Sequence, residues 1–131
     1  MLTVGAFLAI EDSSDNHHQK AISFWKALLE KKNQVVTTDY VLDETYTIIR
    51  IRAGHKFAVE FGEETRKSKI IKIIHITPGI IDNAWKVFKR YQDKDFSFTD
   101  CTSFVAMKEN KIESAFSFDK NFTQYGFKIL P

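Results

Sequence analysis

Asp95-Phe96-Ser97-Phe98-Thr99-Asp100-Cys101-Thr102-Ser103-Phe104 and, twelve residues on, Phe116-Ser117-Phe118-Asp119 are the segments from which the fold of this 131-residue chain can be read. Asp100 and Asp119 are two isolated acids, each at the end of an apolar segment. The chain between them is long enough for a helix, a turn and a strand, so both can reach one edge of a sheet. Ser97 or Thr99 is a suitable cap for a helix carrying Cys101, Phe104, Val105 and Lys108 on its inner side. Ala115 to Phe118 and Phe127 to Leu130 are predicted as the last two strands.

Working back from that corner, Thr77-Pro78 is a helix start, because Thr caps free amides and Pro at the first helical position has no amide to satisfy. Ile81, Ala84, Trp85 and Phe88 form the expected buried stripe of that helix. Ile70 to Ile76 is predicted as a strand interrupted by Lys72 and His75. Phe57, Ala58 and Phe61 belong to an amphipathic helix. A preceding helix, capped by Thr38 or Asp39, carries Val41, Leu42, Thr45, Ile48 and Ile49 and stops at Gly54. Val35 and Val36 mark a short strand. A helix from His17 to about Lys32 and Asn33 is predicted from Ala21, Ile22, Trp25, Leu28 and Leu29 at helical spacing. The apolar run Leu2 to Leu8, with Gly5 and Ala6 inside it, reads as a central strand closely approached by other backbone. The polar patch Glu11 to Asn16 breaks it.

Short strands alternating with helices favour a parallel sheet covered on both faces, with functional groups beyond the carboxyl ends of the strands. The length suits one domain over residues 1–131, and 44% apolar residues supply one core. A formal charge of +2 is too mild to argue for nucleic acid by itself. The single cysteine excludes an internal disulfide and is compatible with the reducing cytoplasm. No apolar run reaches membrane-spanning length, and Met1 to Ile10 lacks the pattern of a secretory signal.

Three acids stand out. Asp119 follows the strand ending at Phe118, Asp100 sits in the first turn of its helix, and Glu44 lies one turn into its own beside Val41 and Leu42. Clustered carboxylates repel unless a cation compensates, and an all-oxygen set suits Mg²⁺ or Mn²⁺ better than zinc. Such an ion supports phosphodiester hydrolysis. Each acid also has a plain structural role, as a helix-dipole partner or a turn former. Cys101 reads as a small buried residue, and His17-His18 as part of a solvated helix start. His55 and His75 are isolated. Arg50, Arg52, Lys56, Arg66 and Lys67 are either a solvated face or a path for RNA phosphates. The phenylalanines read mainly as core.

Leu2-Thr3-Val4-Gly5-Ala6-Phe7-Leu8-Ala9, Thr37-Thr38-Asp39-Tyr40-Val41-Leu42-Asp43-Glu44-Thr45, Phe96-Ser97-Phe98-Thr99-Asp100 and Phe116-Ser117-Phe118-Asp119-Lys120-Asn121-Phe122, in that order, resemble the PIN domain family, and within it the VapC-type toxin ribonucleases. The resemblance extends over essentially the whole chain. It implies a three-layer α/β/α domain with a central parallel sheet and metal-dependent cleavage of RNA. It also implies Mg²⁺ or Mn²⁺ held by Glu44, Asp100 and Asp119, with Ser97 and Thr99 as a hydroxyl-rich approach to Asp100. A small antitoxin and a homodimer are the partners it implies.

The chain departs from the family pattern at its first segment. Thr3 stands where the family carries its first metal-binding Asp, and a neutral hydroxyl is a poor substitute for a carboxylate toward a hard cation. Three accounts follow: a degenerate relative with impaired activity, a site working with three acids, or an altered start of the chain. The alternative to a ribonuclease is a catalytically inactive PIN-like module that binds RNA or a partner protein.

Overall fold

The computed structural model describes residues 1–131. Seven helices and four short strands alternate along the chain: α1 Val4–Glu11, α2 His18–Glu30, β1 Val35–Thr38, α3 Asp39–Ala53, α4 His55–Lys67, β2 Ile71–Ile74, α5 Pro78–Arg90, α6 Phe98–Glu109, β3 Ser114–Phe116, α7 Lys120–Tyr125 and β4 Lys128–Leu130. β1 pairs in parallel with β2, Val36 opposite Lys72, and β3 pairs in parallel with β4, Ala115 opposite Ile129.

The first residues of the chain join these two pairs. Leu2 makes a single parallel bridge to Phe116 on one side. On the other, its amide donates to the Val36 carbonyl at 2.7 Å, while the Thr37 hydroxyl donates to the Leu2 carbonyl at 3.0 Å. The predicted central strand over Leu2 to Leu8 is therefore central in position but one bridge long. From Val4 the chain is helical. The run Val4 to Ile10 is apolar on every side, so its hydrophobicity carries no period to separate a buried strand from a buried helix. The Thr3 side chain decides the matter locally by accepting from the Ala6 amide at 3.2 Å as the α1 cap. The close approach expected at Gly5 is absent, since a Cβ there would meet nothing within 4 Å.

Two clusters fill the core on either side of this seam. Leu2, Phe7, Val41, Leu42, Ile49, Phe61 and Phe116 anchor one. Phe96, Phe104, Met107 and Phe122 anchor the other, with Phe104 stacked on Tyr125 at 4.3 Å between ring centroids. α6 is buried from Cys101 to Met107, and Lys108, expected on its inner side, is exposed and sits over the Tyr125 ring at 5.2 Å. On α5 the buried stripe is Ile80 and Ala84, with Val87 partly covered, whereas Trp85 and Phe88, also expected inside, are 51% and 42% exposed. Spacing places Ile80, Ala84 and Val87 on one face, and the two aromatics belong to its flank.

The caps match their local chemistry. Thr38 caps α3, Thr77 caps α5 with Pro78 in the first turn, and Gly54 closes α3 at φ 100°. β2 is shorter than the predicted Ile70 to Ile76, because the Ile76 amide leaves the sheet to donate to Asp39 Oδ1 at 3.0 Å. β3 likewise ends at Phe116, and Ser117 and Phe118 lead into α7, a helix the sequence did not announce.

Candidate active site

At the carboxyl end of β3 the chain turns through Ser117 and Phe118 into Asp119, whose Oδ1 accepts from the Asn121 amide at 2.9 Å and so caps α7. The Asp119 amide is itself held by the Ser117 hydroxyl at 3.0 Å. Asp100 stands at the third position of α6 in a capping box. Ser97 Oγ accepts from the Asp100 amide at 2.9 Å, and Asp100 Oδ2 accepts from the Ser97 amide at 3.1 Å. This explains the hydroxyl-rich approach: Ser97, not Thr99, is the cap, and it fixes the carboxylate's orientation.

Asn121 ties these two corners together. Its buried side-chain amide donates to Asp100 Oδ2 at 3.1 Å and to the Asp95 carbonyl at 3.3 Å, while its backbone amide serves Asp119. One residue thus bonds both acids, leaving Asp100 Oδ1 and Asp119 Oδ2 without partners in the chain. Burial pushes the Asp100 carboxyl above its ordinary range, and the nearby negative charge of Asp119 adds to that. The bonds from Ser97 and Asn121 pull the other way without cancelling it. Sequence reasoning missed Asn121, because an amide carries no charge pattern by which to find it.

Glu44 comes from α3, which packs against α6, and is half-buried with no hydrogen bond to its carboxylate. Asp100 and Asp119 are close enough to perturb one another, but no three His, Cys, Asp or Glu side chains form a ready-made ion cage. The donor chemistry still fits a hard divalent ion of the Mg²⁺ type, which commonly keeps several waters and takes only one or two carboxylates from a protein. Ser103, one turn beyond Asp100 on the same side of α6, supports a hydrated site. Its hydroxyl is buried with no partner, an orphan that a bound water would satisfy.

Thr3 is fully committed elsewhere. Its hydroxyl donates to the Phe116 carbonyl at 2.8 Å and accepts from the Ala6 amide, so it caps α1 and fastens it to the end of β3. Cys101 is buried, and burial, with the charge of Asp100, pushes its thiol up to about 11, which removes it as a nucleophile. His17 is exposed and stacks on Phe118 at 4.4 Å, and His18 Nδ1 bonds the Ala9 carbonyl at 2.7 Å.

The PIN domain model matches residues 5–128 of the chain. The chain belongs to the PIN domain family. Among its relatives is the 23S rRNA-specific endonuclease VapC20 of Mycobacterium tuberculosis, 33% identical over 119 residues that cover 91% of this chain and 88% of the relative. A VapC ribonuclease of Archaeoglobus fulgidus is 29% identical over 127 residues, covering 94% and 78%. The crystal structure of M. tuberculosis VapC20, described as a sarcin-ricin loop cleaving toxin, superposes with a TM-score of 0.88 at 31% identity, covering 96% of this chain and 94% of that one. The fold is thus the α/β/α PIN arrangement around a parallel sheet. No helix is long and apolar enough to cross a membrane.

Proposed function

We propose that this protein is a metal-dependent endoribonuclease of the VapC type, with Asp100 and Asp119 as the principal ligands of a Mg²⁺ or Mn²⁺ ion and Glu44 as the third acid. The observation that carries the reading is the pair of acids bonded through Asn121, each with one oxygen free. When bound, the ion supplies an activated water and charge stabilisation at a phosphoryl oxygen. The chain's own residues hold the carboxylates still. Ser97 and Asn121 fix Asp100, Asn121 and the start of α7 fix Asp119, and the half-buried position of Asp100 strengthens its charge interactions. The VapC relatives support RNA as the substrate and a small antitoxin as the partner. A homodimer is supported by the exposed Trp85, which stacks on Phe88 at 5.7 Å.

A second reading, a non-catalytic RNA- or protein-binding module, is favoured by the commitment of Thr3 to two backbone partners and by the lack of a three-acid cage. Incubation with RNA in Mn²⁺ and in EDTA separates the two. The ribonuclease reading predicts cleavage in Mn²⁺ only, with Asp100→Asn reducing it at least about a hundredfold, the scale of losing one charge-stabilising group, at unchanged helical content. Full cleavage by Asp100→Asn refutes the site. No cleavage by the unaltered protein, together with cleavage by Thr3→Asp, supports the second reading.

A further inference from the structure

A cleft of about 500 Å³ runs between α3 and α4, lined by Tyr46, Thr47 and Arg50 of the first and His55, Gly62 and Arg66 of the second. Arg50 and Arg66 supply its cations, and Tyr46, Thr47 and His55 its other polar groups. Its one carboxylate, Glu63, faces Lys67 at 3.8 Å. No carboxylate lies within 4.0 Å of Arg50 or Arg66, since the chain's ion pairs are Lys67 with Glu63, His75 with Asp39 and Lys94 with Asp93. Arg50 is instead hydrogen-bonded to His55 Nδ1 at 3.0 Å, which leaves the imidazole's Nε2 as its donor. Arg66 lies near the Tyr46 phenol, where burial raises the hydroxyl's pKa and the guanidinium charge opposes it.

Two arginines without acidic partners in one concavity are a site of unmet positive charge. The planar guanidinium fork suits a phosphate, which accepts paired N–H bonds. The depth of the cleft depends on Gly62, where a Cβ would stand 3.3 Å from Tyr46 Cε1. Thr47 lies one turn along α3 from Glu44, so the cleft opens about 5 Å along the helix axis from the third acid.

We propose that the α3–α4 cleft is a phosphate-binding subsite that grips the backbone of single-stranded RNA outside the bond being cut. It deepens the ribonuclease reading and rests on it for the identity of the polymer. An acidic peptide segment is the competing occupant, and RNA is favoured because fork-shaped donors, a hydroxyl and an aromatic ring line the cleft together.

The test is binding without cleavage. A short fluorescent single-stranded oligoribonucleotide is titrated in EDTA across a salt series with the unaltered protein, Arg50→Gln, Arg66→Gln and the double variant. Lys31→Gln/Lys32→Gln, at the end of α2, removes the same charge elsewhere. Each arginine should account for about 0.7 of the slope of log affinity against log salt, and the double variant for about 1.4. The lysine control should keep the slope, and Gly62→Ala should weaken binding several-fold with no change of charge. Equal slopes in the double variant and the unaltered protein overturn the proposal, as do an equal fall in the lysine control or no RNA binding at all. Arginine-dependent binding of a poly-glutamate peptide with arginine-independent RNA binding also overturns it. Cleavage in Mn²⁺ is scored separately: an altered slope without cleavage keeps the subsite and removes the nuclease reading, and cleavage with an unaltered slope removes only the subsite.

Discussion

Thr3 and Asp100 both stand at the start of a helix beside the β3 end of the sheet, yet their polar groups end in opposite conditions. The Thr3 hydroxyl donates to Phe116 and accepts from Ala6, so both of its capacities are used by backbone. Asp100 accepts two bonds on Oδ2 and keeps Oδ1 free, in a setting that already disfavours its charge. The first is a fastening and the second holds reactivity in reserve. A helix-start residue is available for chemistry when capping leaves one of its acceptors unused, as it leaves the second carboxylate oxygen of Asp100.

Altering the fastening should have the largest effect on stability. Thr3→Val loses the α1 cap, worth about 1 kcal/mol, and strands the buried Phe116 carbonyl at a further cost of about 1–3 kcal/mol. Urea denaturation should show that loss, and Thr3→Ser should recover most of it. Thr3→Asp keeps an acceptor for Ala6 but has no proton for Phe116, so it should be less stable than the unaltered protein in EDTA and regain stability in Mn²⁺. A Thr3→Val protein as stable as the unaltered one would erase the difference between the two helix starts.

Loosening the reserve should cost less. Asn121→Ala removes the amide that spans Asp95 and Asp100, with an expected loss of about 1–2 kcal/mol and a several-fold weaker response of Tm to Mn²⁺. A normal Mn²⁺ response in that variant would reduce Asn121 to a packing residue. The smallest effect belongs to Glu11, remote from both corners, whose carboxyl is raised by burial and by the charge of Glu64. A group with a raised folded pKa stabilises most below its unfolded value, about pH 4.3, and loses that contribution as pH rises through the folded value. Glu11→Gln should therefore raise Tm slightly at neutral pH and leave it unchanged near pH 4.

The parts of the fold legible in the sequence were those set by local chemistry. Thr38, Thr77-Pro78, Ser97 and Gly54 mark helix ends through bonds made within four residues, and each stands where its residue type implies. Val4 to Ile10 reads equally as strand or helix because an all-apolar segment has no polar face to show its period, and one hydroxyl at Thr3 selects the helix. Trp85 and Phe88 lie outside the expected stripe because hydrophobicity alone does not say which of two adjacent faces meets the core. In the site, Asp100 and Asp119 were legible as isolated acids at segment ends. Asn121 and the arginine-lined cleft were not, since both depend on contacts between separate elements.

The central claim, that Asp100 and Asp119 together hold a divalent ion, is tested most directly by titrating the protein with Mn²⁺ and following free Mn²⁺ by electron paramagnetic resonance. The account predicts a single site per chain that is lost in both Asp100→Asn and Asp119→Asn and weakened in Glu44→Gln. Undiminished binding in the two aspartate variants, or no binding by the unaltered protein at millimolar Mn²⁺, would contradict it.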